Sequence, residues 1–461
     1  MNVALATEEF IAPAPVNSAV SEVKGIPFFG IGHKIKRDPL NFLSKLANQS
    51  APLIKFEHMG LPVYLVNSPE GAEFVLQTGH KYFQKGQFYN KVKPMFGKGL
   101  PVLEGEDWRR HRQLMQPSFR VAELKRIADL SIALAQAASE KWLGKKDSVE
   151  IDVDNEMAKL TVYVVAQALF GAEIDKHANT LVESVDTLLS ISELRIWAAP
   201  DLHWHWGSPY YWKFKAARHA MDKVIHEFVE RRKHGETFGG DLLGLLLGAM
   251  SNEENASITD EELRDEITTL IVTGHESTAN TLTWMFYEMA KNPAIQARVY
   301  EEIKATFEDG IITPDKYDGM VYTKAVISET MRLYPAVWSM ARKNLEEVTI
   351  HDVMISANSN FMLSPYLMQR HRKYYSNPEA FLPERFLNGE MERQHRFIYL
   401  PFAAGPRRCI GEKFAWQEML SIVSVLCQKV RFELAPGQKV EPVARVSVEP
   451  AYGMNMVVSA R

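Results

Sequence analysis

Residues 401–415 read PFAAGPRRCIGEKFA, a turn-rich approach to a cysteine that is followed at once by a helical pattern. Cys409 thus precedes a predicted helix start, where unpaired amides and the positive end of the helix dipole favour a thiolate over a thiol. Gly405 and Gly411 permit backbone conformations, and a close approach to a flat ligand, that bulkier residues obstruct. The segment predicts a cysteine that binds a metal.

The second cysteine of the chain has a different context. Cys427 lies on an apolar helix face and is interpreted as a small buried hydrophobe. Two cysteines are too few for a disulfide framework and are typical of a reducing compartment. We therefore expect a cytoplasmic protein.

Composition and charge exclude several classes of function. With 46% apolar and 24% charged residues among 461, the chain is able to bury a large core, which excludes disorder and collagen. The 53 basic and 57 acidic residues give a net charge of −4, which provides no field for a polyanion. Nucleic acid is therefore not expected as a partner.

The ends and the interior of the chain indicate one large unit. Glu8, Glu9 and Pro13 interrupt the first apolar run, so neither a membrane anchor nor a secretion signal is expected. No linker-like stretch divides the interior. We expect a flexible N-terminal segment over residues 1–24 and a single domain over residues 25–461.

Hydrophobic periodicity predicts a mainly α protein with small β-sheets at the edges of a helical body. The predicted helices are Lys159–Phe170, Ala216–Arg232, Asp260–Lys291, Tyr322–Leu333 and Glu412–Val430. The predicted strands are Leu53–Phe56, Pro62–Val66, Val348–Ile350, Asn360–Leu363 and Met454–Val458.

Two irregular stretches, Gly86–Asp107 and Arg195–Tyr211, are long enough to be functional loops. The second contains His203-Trp204-His205-Trp206. A His-x-His pair can bind metal, but without further spaced ligands an aromatic surface loop is the favoured interpretation.

The predicted helix Asp260–Lys291 is unusually long and opens with Thr259 and Glu262 in the spacing of a capping box. Midway it carries TGHEST, residues 273–278, where glycine and hydroxyl side chains would loosen the helical hydrogen bonds. A polar cluster inside an apolar helix needs a partner to offset its burial, which favours a functional role. A zinc-protease helix is excluded because Ala279 stands where the second histidine is required.

The cysteine segment also carries a resemblance to a known family. Its frame matches Phe-x-x-Gly-x-Arg-x-Cys-x-Gly through Phe402, Gly405, Arg407, Cys409 and Gly411. This frame resembles the cytochrome P450 family of haem-thiolate monooxygenases, in its soluble, bacterial type. The resemblance implies haem b between a long distal helix and the cysteine-bearing proximal segment, with the thiolate favouring cleavage of molecular oxygen.

Further motifs follow in the order of the same family. Glu329 and Arg332, with Arg385 downstream, resemble its Glu-Arg-Arg network, which implies a structural role behind the haem. Guanidinium groups suit the haem propionates because they can donate paired hydrogen bonds. The residues assigned by resemblance to the propionates are Trp108, Arg112, Arg342 and Arg407.

The resemblance also assigns the distal side of the site. Glu276, Ser277 and Thr278 would relay protons during oxygen activation, with Ser277 departing from the usual threonine. The substrate would contact four residues: Val272, Thr273, Val337 and Trp338. Most positions in the predicted pocket are apolar, which favours a hydrophobic substrate such as a fatty acid, a terpenoid or another natural product.

Electrons are expected from separate proteins. Gly30 and Gly32 do not form a dinucleotide fingerprint because Ile35 replaces the third glycine, and no flavin domain follows. We therefore expect no bound flavin or NAD(P)H, and a ferredoxin or flavodoxin with its reductase. The basic residues Arg109, Arg110, Arg408 and Lys413 are interpreted either as a docking patch for an acidic carrier or as ordinary solvated surface charge.

Two alternatives share this cysteine frame. One is oxidative coupling, desaturation or peroxygenase chemistry on the same fold. The other is a haem-binding sensor without turnover, against which the acid and alcohol side chains of the long helix argue.

Overall fold

The computed structural model describes residues 19–25, 31–48, 51–58, 60–119, 121–144, 146–171, 174, 176–197, 204–236, 242–252 and 258–461. His203 and residues 1–18 lie outside these ranges. Val20–Val23 forms a strand paired in parallel with Leu53–Phe56. This strand lies within the segment that was predicted to be flexible.

Helices make up most of the described fold. They are α1 Gly32–Arg37, α2 Pro39–Ala47, α3 Pro69–Glu73, α4 Tyr89–Phe96, α5 Gly105–Met115, α6 Val121–Leu143, α7 Val153–Phe170, α8 Ala178–Trp197, α9 Pro209–Lys233, α10 Leu242–Asn252, α11 Asp260–Lys291, α12 Pro293–Thr306, α13 Val321–Leu333, α14 Pro365–Met368 and α15 Glu412–Lys429. Among the helices of the described ranges, none has the length and apolar composition to cross a bilayer.

The strands form small sheets, as predicted. They are β1 Val20–Val23, β2 Leu53–His58, β3 Leu61–Val66, β4 Phe83–Lys85, β5 Ser148–Asp152, β6 Met340–Asn344, β7 Val348–Ile350, β8 Val353–Ile355, β9 Asn360–Leu363, β10 Val430–Leu434, β11 Pro442–Ala444, β12 Val448–Pro450 and β13 Asn455–Ala460. The largest sheet has the order β1-β2-β3-β9-β6-β4, and a second has the order β10-β13-β5. The described residues also form two two-stranded sheets, β11-β12 and β7-β8.

The prediction of a mainly helical protein with small sheets is confirmed, and one predicted loop is wrong. Residues Gly86–Asp107 contain α4 and the first residues of α5. Val92, Met95 and Phe96 of α4 are buried in the core. Their helical spacing supplies the apolar face that holds this short helix in place.

Helix α11 runs through the middle of the core. Its first half packs Ile267 and Ile271 into one hydrophobic cluster with α7 and α9. Its second half packs Leu282 and Phe286 into another with α13 and α15. The capping box of Thr259 and Glu262 is confirmed, so the helix begins where its sequence predicts. The long helix thereby joins two halves of the core.

The Glu-Arg-Arg residues form a buried ionic network. Arg332 donates to both carboxylate oxygens of Glu329, at 2.7 and 2.8 Å, and Arg385 donates to the same carboxylate at 3.3 Å. The remaining Arg332 donors bind the carbonyls of Gln369, Pro378 and Ala380. Because the donors and the carboxylate have partners, the network holds α13 against the segment before the cysteine.

We expect Glu329→Gln to lower the free energy of unfolding by about 3–5 kcal/mol, because it leaves buried guanidinium charge without its counter-ion. The measurement is urea unfolding followed by circular dichroism. Glu140→Gln, at the exposed pair of Glu140 and Lys429, is the matched control and should cost at most about 1 kcal/mol. Equal costs for the two variants would contradict the assigned role of Glu329.

Candidate functional site

A cavity of about 1240 Å³ lies between α11, the cysteine segment and the largest sheet. Its wall is mostly apolar and includes α4, the start of β6 and the loop between β11 and β12. Twelve of the predicted site residues line it: Trp108, Arg112, Thr273, Ser277, Thr278, Val337, Trp338, Arg342, Phe402, Arg407, Cys409 and Gly411. Residues far apart in sequence thus meet at one cavity.

The cysteine segment presents the thiol of Cys409 to this cavity. The Cys409 amide donates to the Phe402 carbonyl at 3.0 Å, which closes the loop around the cysteine. Arg112 donates to the Arg408 carbonyl at 2.8 Å and holds the loop from the side of α5. Helix α15 begins at Glu412, so the cysteine does precede a helix start.

The position of Cys409 before a helix start predicted a lowered thiol pKa, but the pKa is raised. Burial raises the pKa of Cys409 above its ordinary value, despite the Gly411 amide and the charges of Arg112 and Arg408, which lower it. The helix start therefore does not ionise this thiol by itself. Coordination to a metal deprotonates a thiol outright, which is compatible with a ligand role.

Gly405 has the kind of backbone conformation for which the sequence predicted a glycine, but not the predicted approach to a flat ligand. It does not line the cavity, and its φ is +71°. A Cβ atom at this position would lie 1.8 Å from the carbonyl oxygen of Leu76. Close backbone packing between the cysteine segment and residues 74–78, rather than contact with a flat ligand, explains the glycine.

A group of cations lines one part of the cavity. Strands β4 and β6 pair antiparallel and place Lys85 directly opposite Arg342. Arg407 stacks over the Trp108 ring at 4.5 Å and pairs with Glu104. Like charges opposite one another in a sheet are unfavourable unless an anion lies between them. The site therefore suits a ligand with more than one negative charge.

Lys85 is a site residue that the sequence did not reveal. Its ammonium group donates to the carbonyls of Leu100 and Pro101. Burial, together with the charge of Arg407, lowers the pKa of Lys85 to about 7. No local motif marks this lysine, because its role depends on the pairing of β4 with β6.

These residues fit haem b. A porphyrin is flat and apolar and carries two carboxylates, which match the apolar walls and the cations Lys85, Arg112, Arg342 and Arg407. The thiol of Cys409, which lines the same cavity, would bind the haem iron.

The polar stretch of α11 remains helical. Ser277 donates to the Thr273 carbonyl at 3.1 Å, and Thr278 donates to the Gly274 carbonyl at 3.4 Å. The predicted loosening of the helix is therefore not seen, because the hydroxyls bond back to the preceding turn while the helix continues. Both hydroxyls still line the cavity.

Two predicted residues of α11 do not line the cavity. Val272 is 1% exposed and packs in the hydrophobic core, so we no longer assign it a substrate contact. Glu276 is directed to Ser447, which donates to it at 2.8 Å. Burial and the charge of Glu449 raise the pKa of Glu276 to about 8. A second buried acid, Glu418 of α15, lies beside Thr278 and was missed from sequence.

The predicted aromatic loop is only partly described. The guanidinium of Arg195 stacks on the Trp204 ring at 3.8 Å, whereas Trp206 is 81% exposed. Because His203 lies outside the described residues, the preference for an aromatic surface loop over a metal-binding His-x-His pair stays a prediction.

The chain belongs to the cytochrome P450 family, whose profile, "Cytochrome P450", matches residues 21–452. It is 28% identical to cyclooctatin synthase of Streptomyces melanosporofaciens, over 92% of each chain. It is 26% identical to pentalenene oxygenase of Streptomyces avermitilis, over 95% of this chain and 96% of the relative. The protein is accordingly a monooxygenase of the haem-thiolate class.

A solved structure shows the same fold. Retinoic acid bound cyanobacterial CYP120A1 superimposes with a TM-score of 0.84 over 96% of this chain and 99% of its own, at 22% identity. The predicted P450 fold is therefore confirmed.

We expect Gly405→Ala to destabilise the protein by more than the roughly 1–2 kcal/mol that a side chain costs in the left-handed region, because its Cβ also meets the Leu76 carbonyl. Gly437→Ala is the matched control, since Gly437 has φ +79° and open space around it. Urea unfolding measures both costs. If the two are equal, the contact with Leu76 does not explain the glycine.

Proposed function

We propose that this P450 oxygenates a hydrophobic small molecule of the terpenoid class, with electrons delivered by a separate ferredoxin or flavodoxin and its reductase. The proposal depends on one observation: the Cys409 thiol shares a single apolar cavity with the hydroxyls of Ser277 and Thr278. The cavity thus contains a candidate metal ligand and candidate proton donors, together with room for a substrate.

The residues that line different parts of the cavity have different proposed roles. Cys409 holds the iron, and Lys85, Arg342 and Arg407 orient the haem through its carboxylates. When bound, the haem supplies oxygen activation, and the thiolate promotes O–O cleavage. Ser277 and Thr278 hold protons on the side of α11, where each hydroxyl can accept a proton from one neighbour and donate to another.

The cavity wall supports an apolar substrate. Phe88, Phe96, Leu270, Val337 and Trp338 contribute large apolar surfaces to it. Val337 is half exposed, and its exposed surface contributes to this wall. Such a wall orients a ligand mainly by shape, with few polar contacts. The relatives named cyclooctatin synthase and pentalenene oxygenase favour a terpenoid among hydrophobic substrates.

The predicted docking patch is partly neutralised by its own chain. Arg109 pairs with Glu106, Arg110 with Asp107 and Glu262, and Arg408 with Glu412. Arg109 and Arg408 are exposed in these pairs and exchange partners at little cost, so an acidic electron carrier can still compete for them. The pair of Arg110 with Glu262 is largely buried and less available. We retain separate redox partners as part of the proposal, without a bound flavin or NAD(P)H.

The haem-thiolate assignment is tested by the spectrum of the reduced protein bound to carbon monoxide. We expect a red-shifted Soret band in the wild type and its loss in Cys409→Ala, because the band reports thiolate ligation. Cys427→Ala, which removes the buried cysteine of α15, is the matched control and should keep the band. A band that survives in Cys409→Ala would overturn the assignment. Terpenes and fatty acids are then added separately, and the spin-state shift of the haem with each shows which substrate class binds.

We expect Ser277→Ala to raise the peroxide released per electron pair consumed, because proton delivery becomes less controlled without this hydroxyl. Ser277→Thr keeps the hydroxyl and should retain wild-type coupling or improve it, since the added methyl restricts the rotamer. The measurement compares the peroxide released with the NAD(P)H that the separate reductase consumes. Unchanged coupling in Ser277→Ala would remove Ser277 from the relay.

A further inference from the structure

One hydroxyl group lies between two carboxylates beside α11, next to residues Arg445 and Val446 of the cavity wall. Ser447, in the loop before β12, lies 2.8 Å from Glu276 and 2.9 Å from Glu449. The amide of Asn280, one turn along α11, donates to the same hydroxyl oxygen at 2.7 Å. Ser447 is itself buried, with 3% of its surface exposed.

The number of protons in this arrangement is restricted. A serine hydroxyl has one proton to donate and two lone pairs that accept. Asn280 fills one lone pair, and the hydroxyl proton serves one carboxylate. The other carboxyl group satisfies the contact only if it donates a proton of its own. Glu276 and Glu449 therefore share one proton across Ser447.

We propose that Ser447 and Glu449 are the proton supply of Glu276, and that protons enter the distal side of the site through them. This inference rests on the proposed monooxygenase function, which consumes protons at the neighbouring Ser277 and Thr278. Ser447 and Glu449 act through Glu276 and are thus positioning residues rather than catalytic ones.

The transfer is a concerted shift of two protons. The carboxyl proton of Glu449 moves to the Ser447 oxygen, while the Ser447 hydroxyl proton moves to Glu276. One O–H bond breaks and one forms at the serine, so its hydroxyl is restored. The net result is one proton moved from Glu449 to Glu276, with no oxidant or reductant involved.

The position of Glu449 connects this pair to solvent. Its side chain is 21% exposed and pairs at 3.3 Å with Arg445, which is 42% exposed. Arg445 also approaches Glu193 of α8 at 3.8 Å and lines the cavity. Glu449 thus connects Glu276, through Ser447, to the more exposed Arg445.

The surrounding charges keep protons on this cluster. Glu193, Asp154 and Asp186 face Glu449 from α8 and α7, and Arg445 is the cation near them. Burial is the first cause that raises the pKa of each of these three acids, and the charge of Glu449 adds to it. Because neighbouring carboxylates disfavour each other's ionisation, these three acids hold their protons more strongly than free carboxyl groups do.

The first test is infrared spectroscopy of the resting protein, which needs no turnover. We expect a protonated carboxyl band in the wild type that is still present at neutral pH and is lost in Glu276→Gln. Glu449→Gln removes the neighbouring charge and should move the midpoint of this band to lower pH by about one unit or more. An absent band, or a midpoint that Glu449→Gln leaves unchanged, would overturn the shared proton.

The second test is turnover of Ser447→Ala, with Ser447→Thr as the variant that keeps the hydroxyl. We expect Ser447→Ala to lower kcat at least about tenfold with KM unchanged, and to raise the solvent deuterium isotope effect. Ser447→Thr should restore most of the rate, and Glu449→Gln should behave like Ser447→Ala. A Ser447→Ala variant with the kcat and isotope effect of the wild type would refute the entry route.

The two proposals fail in different ways. If the wild type shows no thiolate Soret band, the monooxygenase function is overturned, while the infrared result still reports the shared proton. Conversely, an intact Soret band in Ser447→Ala together with unchanged turnover would overturn the proton supply alone.

Discussion

The carboxylate of Glu329 is fully buried between the guanidinium groups of Arg332 and Arg385, and the position of the cysteine depends on this contact. These buried charges are tolerated because both arginines donate hydrogen bonds to the carboxylate and to backbone carbonyls. Gln369 bonds the carbonyl of Arg332 and the amide of Leu400. The network thereby extends from α13 to the segment that ends at Cys409.

A second constraint acts from the other side of the same segment. Gly405 packs its backbone against Leu76, and Arg407 stacks on Trp108 while its guanidinium bonds the carbonyl of Leu103. The cysteine loop is thus held by a helix behind it and by the 74–108 region beside it. A thiol that must meet a metal needs this rigidity, because misplacement by a fraction of an ångström weakens coordination.

Helix α11 separates two kinds of chemistry. Its residues Thr273, Ser277 and Thr278 line the apolar cavity, whereas Glu276 is directed to the polar cluster around Ser447. Consecutive helical positions point about 100° apart, so adjacent residues reach both environments. The helix therefore places a polar cluster and an apolar cavity within reach of adjacent residues.

Much of this protein follows from its sequence. Helical periodicity, the capping box at Thr259 and the frame around Cys409 are local patterns, and each predicts a local structure or a ligand without knowledge of the fold. Tertiary structure decided the rest. The pairing of Lys85 with Arg342, the packing of Gly405 on Leu76 and the contact of Ser447 with Glu276 join residues far apart in the chain. Such contacts depend on how helices and sheets assemble, which no local pattern encodes.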